Sequence, residues 1–276
     1  MSLITVSRQL GSLGSEITRQ LCQDFAWPCL DKESLEEAFS QYGLPRESIE
    51  RFDEKKPGFW DLFKTDKARY LHFMKKAIFE FARQGTGIIL GRGGQILLAD
   101  LPGVLHVRVI APMAVRKKRL MKRFECDAQH AEKILRDSDY EKDGFHKFFF
   151  GESWENASLY DLVINTGSFP AQTAAGVIKH LIVAEEFKAV QEETRQKIAD
   201  LCLEHQIKTV VIYQEKIVVQ FLEVVSERGI VTLRGITDHS EDLERCAKVA
   251  AQIPEVKKVD NQIYYSPLST AYGIHY

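Results

Sequence analysis

Short apolar runs ending at a glycine, proline or polar residue punctuate the first two-thirds of the chain. Ile4–Val6, Ile88–Leu90, residues 104–110 and Leu162–Ile164 are such runs, each long enough for a strand and too short for a helix. Between them, apolar residues recur at helical spacing. Ile17, Leu21 and Phe25 share one face, and Leu71, Met74, Ile78 and Phe81 share another within a helix expected over 67–83. Further helices are expected over 32–40, 95–99, from Pro112 onward, from Asp127 to about 137, and over 171–187. Residues 41–66, interrupted by Pro45 and Pro57-Gly58, read as short helices and loops, and 138–158 as a stretch rich in charges and aromatics. Strands alternating with helices predict an α/β domain: a parallel sheet with helices on both faces.

After about residue 185 the pattern changes. A charged helix over 185–205 leads to two β-rich runs, 217–226 and 230–236, joined by Glu227-Arg228-Gly229. Glycine in that turn supplies a positive φ, so a hairpin is expected. A helix over 240–252 and a strand over 258–265 complete a small α+β unit, and the residues from 266 read as a tail. The expected domains are therefore 1–187 and 188–276.

Composition adds limits. The 276 residues are 45% hydrophobic and 28% charged with a formal net charge of −2, which gives no global electrostatic case for nucleic acid or an anionic membrane. The expectation is a soluble cytoplasmic protein without a transmembrane segment or nucleic-acid partner. Five scattered cysteines without C-x-x-C spacing argue for reduced, core-packed thiols, and none of the eight histidines forms a ligand-like pair.

In a parallel sheet, ligands bind at the carboxyl ends of the strands. Gly11, Asp31, Gly91-Arg92 and the Arg116 helix all follow strands directly. The stretch from Ile4 to Ile17 is strand, two-glycine turn and helix, which aims backbone N–H groups and a helix N-terminus at a phosphate. Arginines from other loops could neutralise phosphoryl oxygens, and Arg116 and Arg119 are spaced to share a helix side. Duller readings stand beside these. Asp31 is placed either to cap the next helix or to meet a ligand, the outer lysines of the run 116–123 suit a solvated face, and the aromatics of 145–154 suit packing.

Taken together, Ile4 to Ile17, Cys29-Leu30-Asp31, Gly87 to Gly94, Val107 to Arg123 and Asp161 to Thr166 resemble the cytidylate kinase-like family of P-loop nucleoside monophosphate kinases. Gly229 to Gly235 and Val256 to Asn261 resemble a BON domain, spanning about 198–265. The resemblance implies phosphoryl transfer from ATP with Mg2+ to a nucleoside monophosphate or similar acceptor. Arg8, Gly11, Ser12, Leu13, Gly14, Ser15 and Glu16 would surround the donor phosphates. Arg92 would hold the acceptor phosphate, with Asp31 beside the acceptor. Arg116 and Arg119 would flank the donor, and Arg136, with Asp137 and Asp139 nearby, would begin the lid that closes over ATP.

Two departures stand out. The lysine of the family's loop is Gly14 here, and the residue in the place of its metal-ligating threonine is Glu16, which leaves Ser15 or Glu16 to meet magnesium. Gly93 stands where cytidylate kinases carry an acidic residue for acceptor recognition, which argues against cytidine specificity. The alternative is a nucleotide sensor that has lost turnover and whose BON-like part mediates interaction. BON domains imply a phospholipid or macromolecular partner, and homo-oligomerisation is left open.

Overall fold

The computed structural model describes residues 2–46 and 64–267, and divides the chain into two compact units meeting at Thr194 and Arg195. Residues 47–63 and 268–276, which include most of the expected loop region and the tail, lie outside the described residues.

The first unit holds a five-stranded parallel sheet. Its strands are β1 (Ser2–Arg8), β2 (Cys29–Leu30), β3 (Thr86–Leu90), β4 (Val104–Ile110) and β5 (Leu162–Asn165), in the order β2-β3-β1-β4-β5. Between β1 and β3 come α1 (Gly14–Phe25), α2 (Lys32–Gln41) and α3 (Lys64–Arg83). Next are α4 (Gly94–Leu97), α5 (Met113–Phe124) and α6 (Ala128–Phe150), and after β5, α7 (Ala171–Ile182) and α8 (Glu185–Ala189). Sheet and helices enclose a core in which Ile4, Val6, Ile17, Leu21, Ile88, Val107, Val109 and Ile178 are buried, and α5 and α6 bury a smaller cluster of Leu120, Ala131 and Leu135. Strands covered on both faces favour near-continuous apolar sequence, as in Ile88–Leu90, whereas β1 and β4 also bury Thr5, Ser7, His106 and Arg108.

Four elements depart from the sequence reading. The helix opened by Asp127, whose Oδ1 accepts from His130 N at 2.8 Å, does not stop near 137 but runs on to Phe150. Within that continuation, Lys147 pairs with Asp143 at 2.6 Å and the tilted rings of Phe145 and Phe149 lie 4.8 Å apart, both at i,i+4. The helix after β5 ends at Ile182 rather than continuing to 187. Downstream, α9 (Gln191–Lys208) starts later than expected and continues as a π-helix over Thr209–Gln214, so the next strand begins at Gln220 instead of 217.

The second unit contains β6 (Gln220–Glu227), β7 (Ile230–Thr237), α10 (Ser240–Ala251) and β8 (Lys258–Tyr265). β6 and β7 form the antiparallel hairpin, and Arg228 and Gly229 in its turn have φ of 53° and 83°. β8 pairs parallel to β7 after the α10 crossover. A separate core of Leu203, Ile207, Val211, Val224, Leu233, Cys246 and Ile263 holds this unit. Among the described residues no helix is long and apolar enough to cross a membrane.

Candidate active site

All five strands deliver a loop to the same sheet edge, and the loop after β1 is the tightest. Gly11 (φ 76°) and Leu13 (φ 68°) are left-handed, which turns the chain directly into α1. The N–H groups of Gly14, Ser15 and Glu16, the first three of α1, reach no backbone carbonyl among the described residues. They form an anion-sized nest on a helix N-terminus. Gly11 admits no larger residue easily, since a Cβ there would lie 3.0 Å from Leu120 Cδ1 and 3.2 Å from Arg116 Cβ.

The loop is braced from three sides. Ser12 Oγ donates to Gln9 O at 2.8 Å, and the Gln9 amide oxygen accepts from Ala111 N at 3.1 Å. Buried Thr166, just after β5, donates from Oγ1 to Ser12 O at 2.7 Å. Arg119 donates to Gly11 O at 3.0 Å and to Thr166 O at 2.8 Å. These bonds tie the loop to α5 and to the segments that follow β4 and β5.

The sequence-selected cations fall into distinct settings. Arg8 leaves β1 beneath Gly14 and runs toward Gly91, where its Nη1 would be 2.6 Å from an added Cβ. Its guanidinium has no hydrogen-bond or ion-pair partner among the described residues. Burial lowers its pKa, with the nearby charge of Arg92 acting in the same direction. Arg92 sits in a left-handed turn (φ 55°) between two positive-φ glycines, its guanidinium 5.8 Å from the Phe145 ring. Arg116 is buried and held bidentately by Asp139 at 2.8 and 3.0 Å, so its fork is already occupied. Arg119 is likewise committed to loop carbonyls. Arg136 lies exposed and grips Glu132, one turn earlier on α6.

Asp31 follows β2 and caps α2, its Oδ1 accepting from Ser34 N at 3.0 Å and Ser34 Oγ at 2.8 Å. Burial opposes ionisation of Asp31, but the two Ser34 bonds prevail and its pKa is lowered. Ser15 is exposed and Glu16 half-buried on the first turn of α1.

Two further cations at this edge escaped the sequence reading. Arg108, in the middle of β4, is buried with its guanidinium 4.5 Å from the Trp154 ring and Nη1 donating to Tyr160 Oη at 3.3 Å. Lys142, from α6, donates to Arg8 O at 3.3 Å and lies 5.5 Å from the same Trp154 ring. Burial brings Lys142 down to about 7, and Arg8 adds to the effect. The signal for Arg108 was available: a charged residue inside a strand otherwise apolar enough to be buried. Lys142 gave none, because it stood among many charges in a stretch not read as helix.

A doubly covered parallel sheet whose first strand turns tightly at Gly11 into the N-terminus of α1 is the P-loop kinase fold. Residues 3–168 match the model of the cytidylate kinase-like family and residues 199–267 that of the BON domain. The chain belongs to the cytidylate kinase-like family and carries a BON domain after the kinase-like unit.

Among solved structures, an uncharacterized protein from Eubacterium ventriosum is similar at a TM-score of 0.53 and 21% identity, over 66% of this chain and 98% of that one. A shikimate kinase from Acinetobacter baumannii is similar at 0.37 and 15%, over 67% and 95% of the two chains. At 21% identity the likeness to the Eubacterium ventriosum protein concerns the fold alone. A curated relative, uronate isomerase of Corynebacterium glutamicum, is 35% identical over 83 residues, which is 30% of this chain and only 16% of that protein.

Proposed function

We propose that the protein is an ATP- and Mg2+-dependent phosphotransferase acting on a nucleoside monophosphate or a similar small phosphorylated acceptor. One observation carries this reading: a ready-made N–H nest over Gly14–Glu16 faces the edge where the unpartnered Arg8 guanidinium lies beside Arg92. Phosphoryl transfer needs little more than positioning and charge neutralisation, and both are supplied there.

In this reading, Gly11 to Glu16 wrap the donor phosphates and Arg92 holds the acceptor phosphate. Arg119 and Thr166 keep the cradle in shape, and α6 with its aromatic face helps exclude water. Among the described residues no group of three or more His, Cys, Asp or Glu could hold a metal alone. Magnesium would be shared between the Ser15 hydroxyl or Glu16 carboxylate and phosphate oxygens, the usual mode for this ion. When bound, it supplies charge neutralisation on the donor oxygens. Asp31 serves as a cap whose carboxylate is also available to an acceptor. The localisation that suits this reading is the cytoplasm, and the BON domain would carry a phospholipid or macromolecular contact.

A second reading, a nucleotide sensor without turnover, is favoured by the glycine at 14 and by the engagement of Arg116 with Asp139. The two separate in one assay. ADP production is followed with Mg-ATP and a panel of nucleoside monophosphates, beside Arg92→Ala and Glu16→Ala. Acceptor-dependent ADP formation, abolished by Arg92→Ala and with its magnesium requirement raised by Glu16→Ala, is the expected result. Calorimetric ATP binding without turnover on any acceptor would favour the sensor, and no nucleotide binding would sink both.

A further inference from the structure

A lysine at position 14 of the loop would have to displace the side chain of Arg8. A Cβ at Gly14 would lie 2.4 Å from Arg8 Cβ and 2.9 Å from Arg8 Cγ, so the side chain of Arg8 fills the space a residue there would need. The ammonium of Lys142 instead reaches the start of the same loop from α6. Its bond to Arg8 O, at 3.3 Å, is long, and its other two protons reach no acceptor among the described residues. It is fixed in place by the Trp154 ring, which Arg108 also approaches.

We propose, on the phosphotransferase reading above, that Lys142 supplies the phosphate-anchoring cation missing from the loop, and that it takes up a proton as the phosphate arrives.

The charges around Lys142 explain why. From β1 it faces Arg8, from α5 Arg116, and from its own helix Asp139 and Glu141. Asp139 is bound bidentately to Arg116, so those two charges largely offset each other. What remains is burial and the unpartnered Arg8, and together with the pull of Glu141 they leave Lys142 at about 7. A phosphate seated against Arg8 replaces that repulsion with attraction and restores the full charge of the ammonium. A cation that is only half charged before binding also spares the empty site the cost of a fully charged cluster.

The test uses the full-length protein and ADP without metal, so that neither turnover nor magnesium enters. Calorimetry in two buffers of different ionisation enthalpy reads the protons taken up. At pH 7 the wild type should take up about half a proton more than Lys142→Arg, whose guanidinium is always charged. Above pH 7 wild-type affinity should fall by up to about tenfold per pH unit relative to Lys142→Arg, by proton linkage. Lys142→Met should bind ADP about 10- to 100-fold more weakly at pH 7, the loss expected for one charge-assisted phosphate contact. If Lys142→Met proves unfolded by circular dichroism, the comparison with Lys142→Arg decides alone. Wild-type ADP binding with equal proton uptake and equal pH dependence in Lys142→Arg would overturn the role of Lys142 and leave the phosphotransferase reading standing. No ADP binding by the wild type would overturn both.

Discussion

Gly14 and Lys142 are one physical problem seen from two sides. The Arg8 side chain passes under the loop where a side chain at position 14 would start, so a lysine placed there should not gain the role proposed for Lys142. Gly14→Lys and Gly14→Ala are expected to lose about 1–3 kcal/mol by overpacking, read by urea unfolding, with no gain in ADP formation. Lys142 has the opposite signature. Its folded pKa is about 7, whereas an unfolded lysine titrates near about 10.4. Between those values the unfolded chain holds more protons, so this group makes stability rise with pH from about 7 to about 10. Lys142→Met should abolish that rise and unfold at higher urea than the wild type at pH 7 without ligand. A variant that binds phosphate worse yet is more stable marks a residue kept for function.

Among the elements, α6 decides most about the site. It carries Lys142 to the loop and Phe150 against Gly93, where an added Cβ would lie 2.2 Å from the ring. Its start depends on the Asp127 cap, and Asp127→Ala should cost about 1 kcal/mol in urea unfolding. At the start of α2, Asp31 allows a sharper separation. Asn caps about as well as Asp, so Asp31→Asn should keep the stability that Asp31→Ala loses. If Asp31 also meets the acceptor, Asp31→Asn should raise acceptor KM while leaving unfolding unchanged. Because the pKa of Asp31 is lowered, its contribution is present above the unfolded carboxylate range and is lost as pH falls through the folded value. The long α6 was hidden from sequence reasoning because Ser138, Asp139, Asp143 and Gly144 weaken helix propensity, and the pairs that offset them become visible only once the helix is drawn.

For the whole molecule, the two units have separate cores, one around Ile4, Val107 and Ile178 and one around Ile207, Leu233 and Cys246. Scanning calorimetry should therefore resolve two unfolding transitions, and ADP should raise only the one belonging to the first unit. A single transition shifted as a whole by ADP would count against independent units.

The sequence alone determined what depends on local spacing and chain order. Apolar runs and glycine turns specified the parallel sheet, the hairpin at Gly229 and the tight turn from Gly11 into α1, because strand burial and positive φ are demands met by the residues themselves. Only the tertiary structure decided which cations are spoken for. Arg116 and Arg119 are spaced to share one side of their helix, yet Asp139 and the carbonyls of Gly11 and Thr166 take their donors. Arg108 and Lys142, more than thirty residues apart, meet at one indole ring. Charge pairing and desolvation are set by groups distant in the chain, so whether a buried cation is satisfied or waiting for an anion is a property of the fold.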